Sequence, residues 1–142
     1  MKFKKLILTL FLLLTTALVG FCDTTTHYDK YGHKTGYYKQ NGSTTVEYDR
    51  YGHKLGSYKT DSSGKTTEYD KYGHKEGSYK TSGSTTTSYD QYGHKTGTYK
   101  TNSNGVTTQY DKYGHKTGSY KTDSQGRTIE YDKYGHKVGS YK

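Results

Sequence analysis

Beyond residue 22 the chain alternates two kinds of short run. Runs rich in Thr and Tyr, such as Thr66-Thr67-Glu68-Tyr69 and Gly77-Ser78-Tyr79, are separated by polar runs containing Gly, such as Asp70-Lys71-Tyr72-Gly73 and Thr60-Asp61-Ser62-Ser63-Gly64. Thr and Tyr suit a pleated, half-buried strand. Asp at the first position of a polar run and Gly at the fourth suit a type I turn, the carboxylate accepting local hydrogen bonds and the Gly tolerating positive φ. The pattern therefore predicts short strands joined by two alternating turns.

This unit recurs six times. The block Tyr-Asp-x-Tyr-Gly-His-Lys-x-Gly-x-Tyr-Lys begins at Tyr28, Tyr48, Tyr69, Tyr89, Tyr110 and Tyr131, at spacings of 20, 21, 20, 21 and 21 residues. The one-residue variation falls in the second turn, where Gln40-Asn41-Gly42 and Thr81-Ser82-Gly83 are the shorter versions. A hairpin loop absorbs such a change, whereas a helix would turn its face by about 100°. Seventeen glycines among the last 120 residues also disfavour helix. The expectation is an all-β repeat meander of about six short β-hairpins over residues 28–142, after a short linker at 23–27.

The core is the weak point of that expectation. After Cys22 there is no Phe, Trp, Met, Ala or Pro, and the only aliphatic side chains are Val46, Leu55, Val106, Ile129 and Val138. Ordering a backbone costs roughly 1–2 kcal/mol per residue, and a buried aliphatic side chain returns about 1.5–3 kcal/mol. Five of them cannot stabilise 120 residues, so any folded state leans on tyrosine. Low hydrophobicity with abundant Gly and Ser predicts a marginal core and partial disorder. As an open meander the array would also expose edge strands capable of pairing with other chains.

Residues 1–22 read as a secretory signal peptide: Lys2, Lys4 and Lys5 precede the apolar run Leu6–Leu14, with small residues at Ala17 and Gly20. The apolar run is too short for a stable membrane span, which needs about 20 residues. Cys22, the single cysteine, lies at the border. It allows no intramolecular disulfide, and it admits a second reading as a lipidated residue, against which stands Phe21 where that motif takes a small side chain. The later segment carries 19 basic and 13 acidic side chains, a net +6. Charges of both signs are interspersed, and Arg50 and Arg127 are its only arginines, so the forked donor that favours phosphate is scarce and nucleic acid is not an expected partner.

Asp70, His74 and Ser78 make a nominal triad. A catalytic site, however, needs a unique, water-excluding pocket, and residues repeated six times on a sheet offer none; no enzyme activity is expected. His33, His53, His74, His94, His115 and His136 recur at 20–21 residues, without the close ligand pairs of structural zinc sites. Neither a metal nor a cofactor is expected.

Tyrosine carries the distinctive chemistry. All 19 lie after Cys22, among 17 lysines and seven histidines. Packing explains part of this, since a phenol buries a large area with few rotatable bonds, but packing alone would admit Phe. A phenol can also be hydroxylated to a catechol and oxidised to a quinone, which amines and imidazoles attack. Each copy sets Lys and His within three residues of a Tyr, as in Tyr113, His115 and Lys116. An imidazole, with an ordinary pKa of about 6.5, is a readier nucleophile near neutrality than an amine at about 10.4.

The block Tyr110–Lys121, Tyr-Asp-Lys-Tyr-Gly-His-Lys-Thr-Gly-Ser-Tyr-Lys, repeated after a signal peptide, resembles the trematode eggshell synthesis repeat of flatworm vitelline eggshell precursors. The resemblance covers Tyr28–Lys142. It implies a secreted structural protein of the eggshell matrix, hardened by tyrosine oxidation and crosslinking to Lys and His. Its partners would be a separate phenol oxidase, other eggshell precursors and further copies of itself. By the match of motif the crosslinking candidates are Tyr28, Tyr48, Tyr69, Tyr89, Tyr110 and Tyr131; Tyr31, Tyr51, Tyr72, Tyr92, Tyr113 and Tyr134; and Tyr38, Tyr58, Tyr79, Tyr99, Tyr120 and Tyr141. The repeats lack cysteine and are less Gly-rich than some eggshell proteins. The Tyr-Asp-x-x-Gly core is also similar to the tyrosine-aspartate repeats of bacterial toxin-encapsulating shells, which implies as the alternative a bacterial surface protein or lipoprotein acting as a binding module.

Overall fold

In a computed structural model, residues 23–142 are described. The signal peptide and Cys22 lie outside them. The described residues form twelve antiparallel strands: β1 (Asp23–Asp29), β2 (Lys34–Asn41), β3 (Thr44–Asp49), β4 (Lys54–Thr60), β5 (Lys65–Asp70), β6 (Lys75–Ser82), β7 (Thr85–Asp90), β8 (Lys95–Thr101), β9 (Val106–Asp111), β10 (Lys116–Thr122), β11 (Thr128–Asp132) and β12 (Lys137–Tyr141). No helix is present among them. Each strand pairs with its neighbours in sequence, as a meander of hairpins requires. Residues 23–27 are strand rather than connector.

The sheet closes. β12 pairs with β1, Tyr141 opposite His27, Ser140 opposite Tyr28 and Gly139 opposite Asp29, and Lys142 and Thr26 exchange backbone hydrogen bonds of 2.6 and 2.9 Å. The result is a twelve-stranded barrel. Closure abolishes the open edges expected of the meander, because every strand has two partners. The expected marginal core and partial disorder are likewise replaced by a packed lumen.

Tyrosine fills it. Tyr38, Tyr58, Tyr79, Tyr99, Tyr120 and Tyr141, one from each even-numbered strand, are only 1–5% exposed. Strand alternation sends a Gly inward two residues earlier and a Thr inward from each odd-numbered strand, Thr66 and Thr107 being almost fully enclosed. The Gly is required by close approach of the neighbouring backbone: a Cβ on Gly77 would stand 2.6 Å from the Tyr89 carbonyl oxygen. Towards the end of the barrel carrying the second turns, hydroxyl pairs bridge the strands, Thr60 with Thr66 at 2.8 Å and Thr101 with Thr107 at 2.7 Å.

The residue before each Tyr-Asp pair also turns towards the lumen: His27, Glu47, Glu68, Ser88, Gln109 and Glu130 alternate with the six tyrosines around the barrel. Tyr79 donates to Glu68 at 2.6 Å and Tyr141 to Glu130 at 2.9 Å, while Gln109 donates to Tyr99 at 3.3 Å. Beside the small Ser88 a cavity of about 190 Å³ remains, bordered by Tyr79, Tyr99 and Gln109. Burial, reinforced by neighbouring carboxylates, holds these phenols in the protonated form: Tyr99 is pushed up to about 12, and Tyr58, Tyr79, Tyr120 and Tyr141 further still.

Candidate functional site

Up-and-down topology gathers all six Asp-x-Tyr-Gly-His turns at one end of the barrel. Each has the same construction. In the turn between β5 and β6 the Gly73 N–H donates to the Asp70 carbonyl at 3.1 Å and the Asp70 N–H to the His74 carbonyl at 2.9 Å. Gly73 takes φ +92°, with no other non-neighbouring atom near its missing side chain. This is a type I turn followed by a left-handed bulge residue, the three-residue hairpin loop that Gly favours.

The Asp carboxylate organises each turn. Asp70 Oδ1 accepts the Tyr72 and His74 N–H groups, both at 2.8 Å, and Oδ2 meets His74 Nδ1 at 3.0 Å. The six Asp–His contacts span 2.9–3.1 Å. Partial desolvation opposes ionisation of Asp70, but hydrogen bonds from His74 and Tyr72 outweigh it and hold the carboxyl below its ordinary range. At Asp111 the backbone hydrogen bond from His115 is the leading cause of the same shift. An ionised carboxylate has no proton to give, so the imidazole Nδ1 must donate. In the neutral ring the lone pair is then on Nε2, at the other side of the ring from the carboxylate. The histidine side chains are 76–80% exposed.

Tyr31, Tyr51, Tyr72, Tyr92, Tyr113 and Tyr134 occupy the third position of these turns and are 70–78% exposed. Each ring lies 6.3 Å from the imidazole two residues on. A cation covers five of the six rings: the ammonium groups of Lys30, Lys71, Lys112 and Lys133 stand 4.8–4.9 Å from the centroids, and the Arg50 guanidinium is 4.6 Å from that of Tyr51, with a hydrogen bond to its hydroxyl. Gln91 takes that position in the fourth turn. The crown thus repeats a phenol, an imidazole and, in five turns, a cation.

The eighteen candidate tyrosines therefore separate into three environments. The six turn tyrosines are open to solvent and the six lumen tyrosines are enclosed. Tyr28, Tyr48, Tyr69, Tyr89, Tyr110 and Tyr131 are half-buried where the strands enter the crown turns. Sequence reasoning leaves out Tyr37, which stacks on Tyr48 at 5.0 Å and 13° with Lys34 4.6 Å from its centroid. The signal for it was a Tyr where the other copies have Ser or Thr.

Within the nominal triad, Asp70 and His74 meet in the turn, but Ser78 lies along β6 opposite Tyr89. Among the described residues no three His, Cys, Asp or Glu side chains group as a metal cage. No family model matches the chain, and comparison with curated proteins finds no matching relative.

Proposed function

We propose that the protein is a secreted structural precursor of an eggshell-type matrix, hardened when an external phenol oxidase acts on its crown. The observation that carries this reading is the sixfold display of an open phenol beside an imidazole whose Nε2 is left available. The oxidase, using molecular oxygen, inserts one oxygen ortho to the hydroxyl and removes two hydrogens from the resulting catechol to give an o-quinone. An Nε2 lone pair from another chain attacks a ring carbon, forming a C–N bond. Nδ1 of the attacking ring then gives up its proton and the attacked ring carbon its own, and the two quinone oxygens each take one, so that the ring regains its aromatic catechol form. Lys side chains react in the same way in their neutral form, increasingly as pH rises. In this role the protein is the substrate of an enzyme and uses no cofactor of its own.

The test is treatment of the soluble protein with tyrosinase, read by denaturing electrophoresis and by mass spectrometry for tyrosines heavier by one oxygen. The parent should form covalent oligomers. A variant with Phe at positions 31, 51, 72, 92, 113 and 134 should not, and equal crosslinking by that variant would overturn the proposal.

A further inference from the structure

We propose that the β1–β12 seam is an exchangeable closure, through which the barrel opens and pairs head to tail with second copies of the chain. The registers carry this. Between β4 and β5, Gly56, Ser57 and Tyr58 face Asp70, Tyr69 and Glu68. Between β6 and β7, Gly77, Ser78 and Tyr79 face Asp90, Tyr89 and Ser88. At the seam, Gly139, Ser140 and Tyr141 face Asp29, Tyr28 and His27. β1 thus takes the place, residue for residue, of the odd-numbered strand that would follow β12 if the array continued.

Nothing in that register distinguishes a chain's own β1 from the β1 of another copy. Every other junction among the described strands is also bridged by a turn, whereas the seam is held by non-covalent pairing alone. The chemistry at the seam is poorer too. His27 stands where Glu68 and Glu130 stand in other odd-numbered strands, and its Nε2 is buried without a hydrogen-bond partner.

Opening along the seam leaves two complementary edges, β1 on one side and β12 on the other. Pairing β12 of one copy with β1 of the next is a heterologous contact that generates a larger ring or an open filament. A closed monomer is favoured at dilution because its own β1 is tethered nearby, and intermolecular pairing gains as concentration rises. The proposal rests on register and connectivity and is independent of the oxidative reading.

The experiment uses the full chain carrying Cys22→Ser, unfolded in denaturant and refolded at low and high protein concentration, with mass measured by light scattering after size exclusion. The expected result is monomer from dilute refolding and integer multiples of the monomer mass from concentrated refolding. A Tyr28→Cys, Ser140→Cys pair, oxidised in the monomer beforehand, should remove the multiples. Oxidised after concentrated refolding, the same pair should give a ladder of disulfide-linked chains. Thr26→Cys with Lys142→Cys serves the same purpose if the first pair misfolds. Monomer alone at every concentration, or equal oligomers from the locked chain, would overturn the proposal.

Discussion

The hydroxyl of Tyr79 donates to Oε2 of Glu68 at 2.6 Å inside the barrel, with Tyr79 1% and Glu68 7% exposed. A buried carboxyl without a cation is tolerated only when hydrogen-bonded, and here phenols supply the donors. This gives the lumen its own reason to exclude Phe: a phenyl ring would fill the same space and leave the carboxyl unserved. The oxidative reading of the missing Phe therefore concerns the crown, while the lumen tyrosines are retained for structure.

Replacing Tyr79 with Phe should accordingly destabilise the barrel by about 1–3 kcal/mol, the cost of leaving a buried acceptor short of its donor. Tyr72→Phe, at an open turn, should stay within about 0.5 kcal/mol. Urea denaturation midpoints of the two variants would check the contrast, which fails if they shift equally.

Two lumen groups should set opposing pH dependences. Burial, with Glu68 nearby and against a hydrogen bond from Tyr58, raises Glu47 to about 7, and burial lowers His27 to about 4. The stability tied to Glu47 is present below its ordinary value of 4.5 and is lost as pH rises through about 7. That tied to His27 is present above 6.5 and is lost as pH falls through about 4. Between pH 4.5 and 6.5 the two slopes oppose, and the parent should be nearly flat. His27→Gln should lose stability on going from pH 4.5 to 7, and Glu47→Gln on going from pH 6.5 to 4, each by of order 3 kcal/mol. Thermal unfolding across that range would decide it, and parallel pH profiles would refute it.

The hairpins were legible because their signals are local. Asp70 and Gly73 determine a turn between them, and the variable second turn falls where Asn41-Gly42 or Asp61 to Gly64 can close a loop. Closure was not legible, since it depends on accumulated curvature over twelve strands and leaves no mark on any one repeat. The pairing of Tyr141 with His27 looks in sequence like two unrelated ends. The lumen ring was hidden for a related reason: the residue before each Tyr-Asp pair varies, as His27, Glu68 and Ser88 show, and variation reads as surface. In the crown the Tyr and His positions could be read from the motif, but which tyrosines are open depends on strand alternation and closure together.

The two glycines of each twelve-residue block should fail differently. A methyl group at position 77 would meet the Tyr89 carbonyl oxygen at 2.6 Å, so Gly77→Ala forces neighbouring backbones apart at a cost of about 1–3 kcal/mol. Gly73→Ala meets nothing, but its φ of +92° is unfavourable for an L side chain, by roughly 1–2 kcal/mol. Hydrogen exchange should separate them: Gly77→Ala loosens amides of both β6 and β7, whereas Gly73→Ala loosens the one crown turn. Loss of protection confined to one turn in both variants would contradict the assigned close approach.

Exposure orders the tyrosines for any reagent that attacks phenols from solution. Limited nitration of the folded chain should modify Tyr31, Tyr51, Tyr72, Tyr92, Tyr113 and Tyr134 first, the half-buried strand tyrosines more slowly, and the six lumen tyrosines only after denaturation. Burial blocks the lumen rings from the reagent, and the same burial holds their hydroxyls protonated, withholding the more reactive phenolate. Peptide mapping over a time course reads all three classes in one experiment. Early nitration of Tyr58 or Tyr120 in folded protein would mean that the lumen is open to solvent. It would also remove the distinction between crown and core on which the proposed site of oxidation depends.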